Sequence, residues 1–363
     1  MVKNLKLSVV MATYNRAETL RETIRCLDSQ DLDPEAYEVI IIDDASPDDT
    51  KQVVAEVQGK VRFSLKFMAN ETNQGPGLTE NRGIREARSP IVLLMADDIW
   101  MEPQALRKHL ETHERHPQEE VAVMGRVLQS PKLNQSAFLR HWDPFRFQDI
   151  DAEVVELPYY RFWANNISVK RNLFVEHGAF RDDMGRGGAA AHEDSELGYR
   201  LHKSAGLRIL YQPGATGYHY HLVTLQGAEQ RWYQRGLNWG EFHAHVPEPE
   251  VPVAYHVLNW STLRDHLRAI FGPRRRYLAA SDRNVVALLV KHFIRLAIFN
   301  GLTARFLWGP LLRGAETSPA LERLVNRHIY RLYLYYHFLK GVRDAHHLYR
   351  GSGAPAVSRG SHA

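Results

Sequence analysis

Through its first hundred residues the chain alternates short, wholly apolar runs with longer segments whose apolar positions recur at helical spacing. The runs are "LKLSVVMATY", "YEVIIIDDAS", "VRFSLKFMA" and "PIVLLMADD". Each is about the length of a strand and apolar on both faces, the pattern of strands buried on both sides. Between them, "AETLRETIRCLDSQ" repeats apolar residues at Leu20, Ile24 and Leu27. "PDDTKQVVAEV" opens with proline and acids, which suit a first helical turn, and "GPGLTENRGIREAR" opens a further helix. Strand and helix in strict alternation predict an α/β fold: a mostly parallel, Rossmann-like sheet covered by helices.

That order gives meaning to the polar residues that end the runs. In an open α/β sheet, ligands bind beyond the carboxyl ends of the strands. Asp43, Asp44, Asp97 and Asp98 therefore share one edge. Acids after a strand also cap the next helix, a reading that suits Asp43 and Asp44, followed by "ASPDDT". It suits Asp97 and Asp98 less, because Ile99 and Trp100 come next. The chain has neither GxGxxG nor GxxxxGK[ST], so the usual dinucleotide and P-loop devices are missing. Paired carboxylates instead suit a hard divalent cation, Mg²⁺ or Mn²⁺, which in turn holds a diphosphate.

Composition narrows the class. The 363 residues are 44% hydrophobic, enough for a large core and an appendage. Lysine and arginine number 46 against 42 acids, and no basic run interleaved with aromatics marks a nucleic-acid surface. The lone cysteine, Cys26, falls within an amphipathic pattern and reads as core. "MVKNLKLSVVMATYN" lacks the apolar run and cleavage site of a signal peptide, and a reducing, cytoplasmic compartment is expected.

The motifs carry a resemblance. "LSVVMATYNRAETLRETIRCLDSQ", "YEVIIIDDASPDDT", "NQGPGLTENRGI" and "IVLLMADDIW" resemble, in order, four signatures of the family 2 glycosyltransferases. "ANNISVKRNLFVEHGAF", "HEDSELGYRLHKSAGLRILY" and "ATGYHYH" extend the resemblance to about residue 225. It implies a GT-A fold over residues 1–225, with a nucleotide-binding half (1–100) and an acceptor-binding half (101–225). It also implies inverting transfer of a sugar from a nucleotide-sugar, with UDP as the default nucleotide, to a glycan, a lipid-linked or a small-molecule acceptor.

By the same resemblance Tyr14 stacks on the nucleoside, Asp44 accepts a base or ribose hydrogen bond, and Ala12 and Asn81 line the nucleotide. Asn166 faces the donor sugar, and the Asp97, Asp98 pair stands at the family's DxD position, Asp98 as the direct metal ligand. A histidine of "GYHYH" completes the metal site. One histidine of the pair is expected to reach it: His219, with His221 as the alternative. In "HEDSELGYRL" Asp194 is the implied general base and Glu193 holds the acceptor, while Leu197 and Leu201 form a buried helical stripe. The glycine- and alanine-rich "RDDMGRGGAAAHED" reads as a closing loop.

Two positions depart from the pattern. Met95 and Ala96 stand where a further acid often lies, and Thr79-Glu80-Asn81 replaces Ala-Arg-Asn, leaving Arg82 on a different helix face. A sugar-phosphate nucleotidyltransferase, or an inactive GT-A-like binding or scaffold subunit, is the competing reading. The former would need a basic, glycine-rich loop after the first strand, where this chain has "ATYNRAETL".

Residues 226–350 read as a helical C-terminal extension and 351–363 as a disordered tail, with "HVPEPEVPVAYHV" as linker. "NVVALLVKHFIRLAIFNGLTARFLWGPLLRG" is apolar but broken by Lys291, His292, Arg295 and Arg305. It suits a helix on an anionic membrane surface, or one packed on the catalytic domain or a second subunit. Packing or homodimerisation, the commoner use of such appendages, is the expectation.

Overall fold

The computed structural model describes residues 5–142, 144, 145, 147, 150, 156–184, 192–248, 251, 252, 255, 257 and 285–351. Half of the segment read as a closing loop, 185–191, and the tail, 352–363, lie outside the described residues, as does part of the linker.

The alternating runs become β1 (Leu7–Thr13), α1 (Ala17–Asp28), β2 (Tyr37–Asp43), α2 (Thr50–Val57), β3 (Ser64–Ala69), α3 (Pro76–Glu86) and β4 (Ile91–Met95). β3, β2, β1 and β4 lie side by side in that order, all parallel. Every residue of β2 and β4 is buried, as strands covered on both faces require. Leu20, Ile24 and Leu27 put α1 against that core, whereas Cys26, expected in the core, is only half-buried at the edge of the α1 stripe. α3 approaches closely because residue 83 is glycine. A Cβ there would stand 2.5 Å from both Ile42 Cδ1 and Val10 Cγ1.

Beyond β4 the sheet changes character. β5 (Ile99–Met101), α4 (Ala105–Arg115), β6 (Val121–Gln129), β7 (Glu156–Leu157), β8 (Asn166–Lys170), α6 (Arg171–His177), α7 (Glu193–Ala205) and β9 (Arg208–His219) complete the unit, with α5 (Ala137–His141) between β6 and β7 in the chain. β8 joins β4 antiparallel, and the sheet continues through β6 and β9 to β5. In the parallel order 3-2-1-4 the sense in which successive strands are added reverses between β1 and β4, a switch point that leaves a crevice at their carboxyl ends.

α4 is tied to β8 by a buried polar chain. The Asn166 Oδ1, which can only accept, fixes the His109 proton on Nε2 at 2.9 Å, and the Ser168 hydroxyl then donates to His109 Nδ1 at 2.8 Å. The same hydroxyl oxygen accepts from His113 Nε2 at 2.9 Å. Burial, above all, pushes His109 down to about 4 and His113 down to about 3, from 6.5. The unfolded imidazoles take up protons below about 6.5 that the folded ones refuse, so stability is expected to fall as pH drops from 6.5 towards 4. Urea unfolding at pH 7 and pH 5 checks this: a loss of about 2 kcal/mol per histidine is expected, and equal midpoints would refute it.

The chain divides into two units: residues 1–135 with 143–222, and 136–142 with 223–363. The second is helical: α8 (Leu225–Leu237), α9 (Trp239–His245), α10 (Val285–Ile298), α11 (Gly309–Ala315) and α12 (Arg327–Gly351). Its core gathers Phe138, Trp142, Leu312, Tyr330, Tyr333 and Leu334. α8 and α12 cross at Gly236 and Gly341, where a Cβ on either would stand 2.1 Å from a backbone oxygen of the other helix.

Candidate active site

The crevice is built from turns that leave the strand ends. After β1 the chain passes through Asn15 at φ 54°, after β2 through Ala45 at φ 65°, and α7 is entered through His192 at φ 71°. Left-handed backbone at non-glycine residues is strained, and among the described residues these three cases all adjoin the carboxylate-bearing turns. In the turn after β1 Tyr14 is 47% exposed, and Ala12, near the end of the strand, is half-buried.

Asp97 and Asp98 are both nearly fully buried. Asp97 accepts from Thr13 Oγ1 at 2.7 Å, and Arg16, at the start of α1, donates to Asp97 at 2.7 Å and to Asp98 at 2.6 Å. Arg16 had no role in the sequence reading. Its signal was an arginine directly after "TYN" in a chain whose strand edge gathers acids. Burial drives Asp97 up to about 6 despite Arg16. Burial also acts to raise Asp98, but His219, His221 and Arg16 together outweigh it and hold that carboxyl well below the usual range.

Both histidines reach Asp98, which corrects the expectation that His219 or His221 alone would do so. His219 Nε2 lies 3.5 Å and His221 Nδ1 3.2 Å from Asp98 Oδ2, with the two rings stacked at 5.5 Å. Residues two apart in extended chain share a face, so His221, just past the end of β9, lies on the same side as His219. β5 pairs Ile99 with His219, and the Tyr220 N–H donates to the Asp98 carbonyl at 2.8 Å, which leaves the rings flanking the carboxylate. Ligand atoms of Asp98, His219 and His221 all lie within 4.8 Å of one another, and the buried His219 Nδ1 has no hydrogen-bond partner. One carboxylate and two imidazoles form a donor set suited to a first-row divalent cation.

Asp194 sits in the first turn of α7, where its Oδ2 accepts from the Ala164 N–H at 3.1 Å, with Glu193 buried beside it. Leu197 and Leu201 anchor the helix in the core. Glu80 on α3 points into the same neighbourhood. Burial, then the charges of Asp194, Glu193 and Asp97, holds its carboxyl well above the usual range. The sequence marked Glu80 only as a missing arginine; the structure makes it a buried acid in the neighbourhood of three others.

Three expected ligand contacts are occupied by the protein itself. Asn166, expected to face the donor sugar, is fully buried, its amide bonded to His109 and to the Ala215 carbonyl. The Asn81 amide brackets Phe180, donating to its carbonyl at 2.7 Å and accepting from its N–H at 2.9 Å. Asp44 accepts from Asn70, Gln74 and Gly75 and so shapes the loop before α3. Arg82 reaches the Ala69 carbonyl and Asn70, at the far end of that loop.

Comparison with known proteins agrees with this architecture. The family model "Glycosyl transferase family 2" matches residues 8–178. Validoxylamine A glucosyltransferase of Streptomyces hygroscopicus subsp. limoneus is 30% identical over 221 residues, 54% of this chain and 48% of the relative. The poly(ribitol-phosphate) beta-N-acetylglucosaminyltransferase TarS of Staphylococcus aureus is 28% identical over 135 residues, 37% of this chain and 23% of the relative. The chain thus spans about half the length, or less, of these curated relatives. Among solved structures, the mannosyltransferase PcManGT from Pyrobaculum calidifontis, in complex with GDP-Man and Mn²⁺, shares the fold with a TM-score of 0.53 at 18% identity, over 93% of this chain and 87% of that one. With the motifs in order and the strand edge that carries them, residues 8–178 form a domain that matches glycosyl transferase family 2.

Proposed function

We propose that the protein transfers a sugar from a nucleotide-sugar to an acceptor hydroxyl with inversion at the anomeric carbon. The observation that carries this reading is the gathering of two carboxylate pairs, Asp97 with Asp98 and Glu193 with Asp194, around Glu80, which feels charge from both. One pair is joined by histidines and suits a metal; the other begins a helix and suits proton transfer.

In this reading Asp98, His219 and His221 would hold Mn²⁺ or Mg²⁺, with Asp97 oriented by Thr13 and Arg16 beside them. When bound, such an ion supplies Lewis-acid stabilisation to a departing diphosphate. Tyr14 offers the nucleoside a stacking face. Asp194 accepts the proton of the acceptor hydroxyl as the oxygen forms its bond to the anomeric carbon and the bond to the diphosphate breaks. An α-linked donor then yields a β-linked product. Glu193 and Glu80 would bind acceptor hydroxyl groups. UDP is the nucleotide we favour; the relatives crystallised with UDP-GlcNAc and with GDP-Man define the alternatives to compare.

Calorimetric titration of UDP, GDP and dTDP, each with and without Mn²⁺, tests this. Binding of one nucleotide that requires the ion is expected. No binding under any condition would overturn the transferase reading and leave a binding or scaffold role.

A further inference from the structure

One face of the helical unit is built the wrong way round for a water-facing surface. On α10 the residues Val290, Phe293, Ile294 and Ile298 follow helical spacing, yet they are 50%, 65%, 51% and 42% exposed. A surface helix ordinarily turns such a stripe inward. Here the inward anchors are others: Arg295 lies over the Tyr335 ring, and buried Phe299 stacks on Trp308 at 4.9 Å. The turns after α10 continue the display with Leu302 at 72% and Phe306 at 68% exposure. Contiguous apolar surface of this kind marks an interaction site.

Charge says what covers it. In the described stretch 285–315 the charged residues are Lys291, Arg295, Arg305 and Arg313, a net of +4 with no acid. From Arg283 to Ala315 there is no acidic residue. Arg305 is exposed among the apolar side chains. A second copy docking this face on itself would set the same basic surface against its twin, which opposes an isologous dimer. A convex apolar stripe edged by arginine fits instead the headgroup and acyl boundary of an anionic bilayer, where buried apolar area and basic charge both favour binding. Among the described residues no helix is long and apolar enough to cross a membrane, so the contact is in the plane of the surface.

We infer that the α10 face is a peripheral docking surface for an anionic lipid bilayer, an inference independent of the sugar-transfer reading. Flotation of the full-length protein with phosphatidylcholine vesicles, with and without phosphatidylglycerol, tests it. Recovery with the anionic vesicles alone, weakened by salt, is expected. The double variant Phe293→Ser, Phe306→Ser is expected to lower the partition coefficient at least about tenfold, as removal of two exposed rings from the acyl boundary requires. Arg305→Glu, which leaves the apolar stripe intact, is expected to lower it severalfold. Failure to float with anionic vesicles, or flotation unchanged in the double variant, would overturn the inference. So would a concentration-dependent dimer in light scattering that the double variant abolishes without any lipid binding.

Discussion

Asp98→Ala is expected to remove the metal-dependent part of nucleotide diphosphate binding. Asp98 is the sole carboxylate of the Asp98, His219, His221 cluster, and its oxygen is shared by both rings and Arg16. Without it, two imidazoles and a guanidinium face one another with no anion between them, a poor site for a dication. A loss of affinity for UDP with Mn²⁺ of about 100-fold or more is expected, against little change without the ion. An undiminished increment in calorimetry would place the metal elsewhere. Arg16→Gln gives the complementary result. Arg16 is itself a cation on both aspartates, so its removal is expected to tighten binding of Mn²⁺ alone by about tenfold, since the ion no longer competes with a charge-assisted ion pair.

Asp194→Asn is expected to slow transfer by about 10²- to 10⁴-fold while donor binding persists, the range for loss of a positioned general base. The substitution keeps the shape and an oxygen for the Ala164 N–H, so α7 stays anchored through Leu197 and Leu201. Only proton acceptance is lost. Release of nucleotide diphosphate from bound donor, to water or to an added alcohol, reports the rate, and calorimetry reports donor affinity. An equal fall in both would make Asp194 a binding residue, and an unchanged rate would move the base to Glu193. Asp98→Ala and Asp194→Asn thus separate the metal site from the proton-transfer site.

Local pattern determined the sheet edge. Apolar runs of strand length, separated by amphipathic helices, leave parallel pairing as the way to bury both faces, and parallel strands place Thr13, Asp43 and Asp97 at one end. The family motifs then assigned chemistry to Asp98 and to the acids opening α7. Tertiary structure decided what no local period encodes. Antiparallel pairing of β5 with β9 brings residues more than a hundred positions apart together and lets both His219 and His221 reach Asp98. Arg16 meets Asp97 and Asp98 only because β1 and β4 are neighbours. Asn166 and Asn81 carry the same amide whatever they face, and only packing brings them to His109 and Phe180. Glu80 likewise owes its raised pKa to burial beside three other acids, a property of assembled surroundings rather than of sequence.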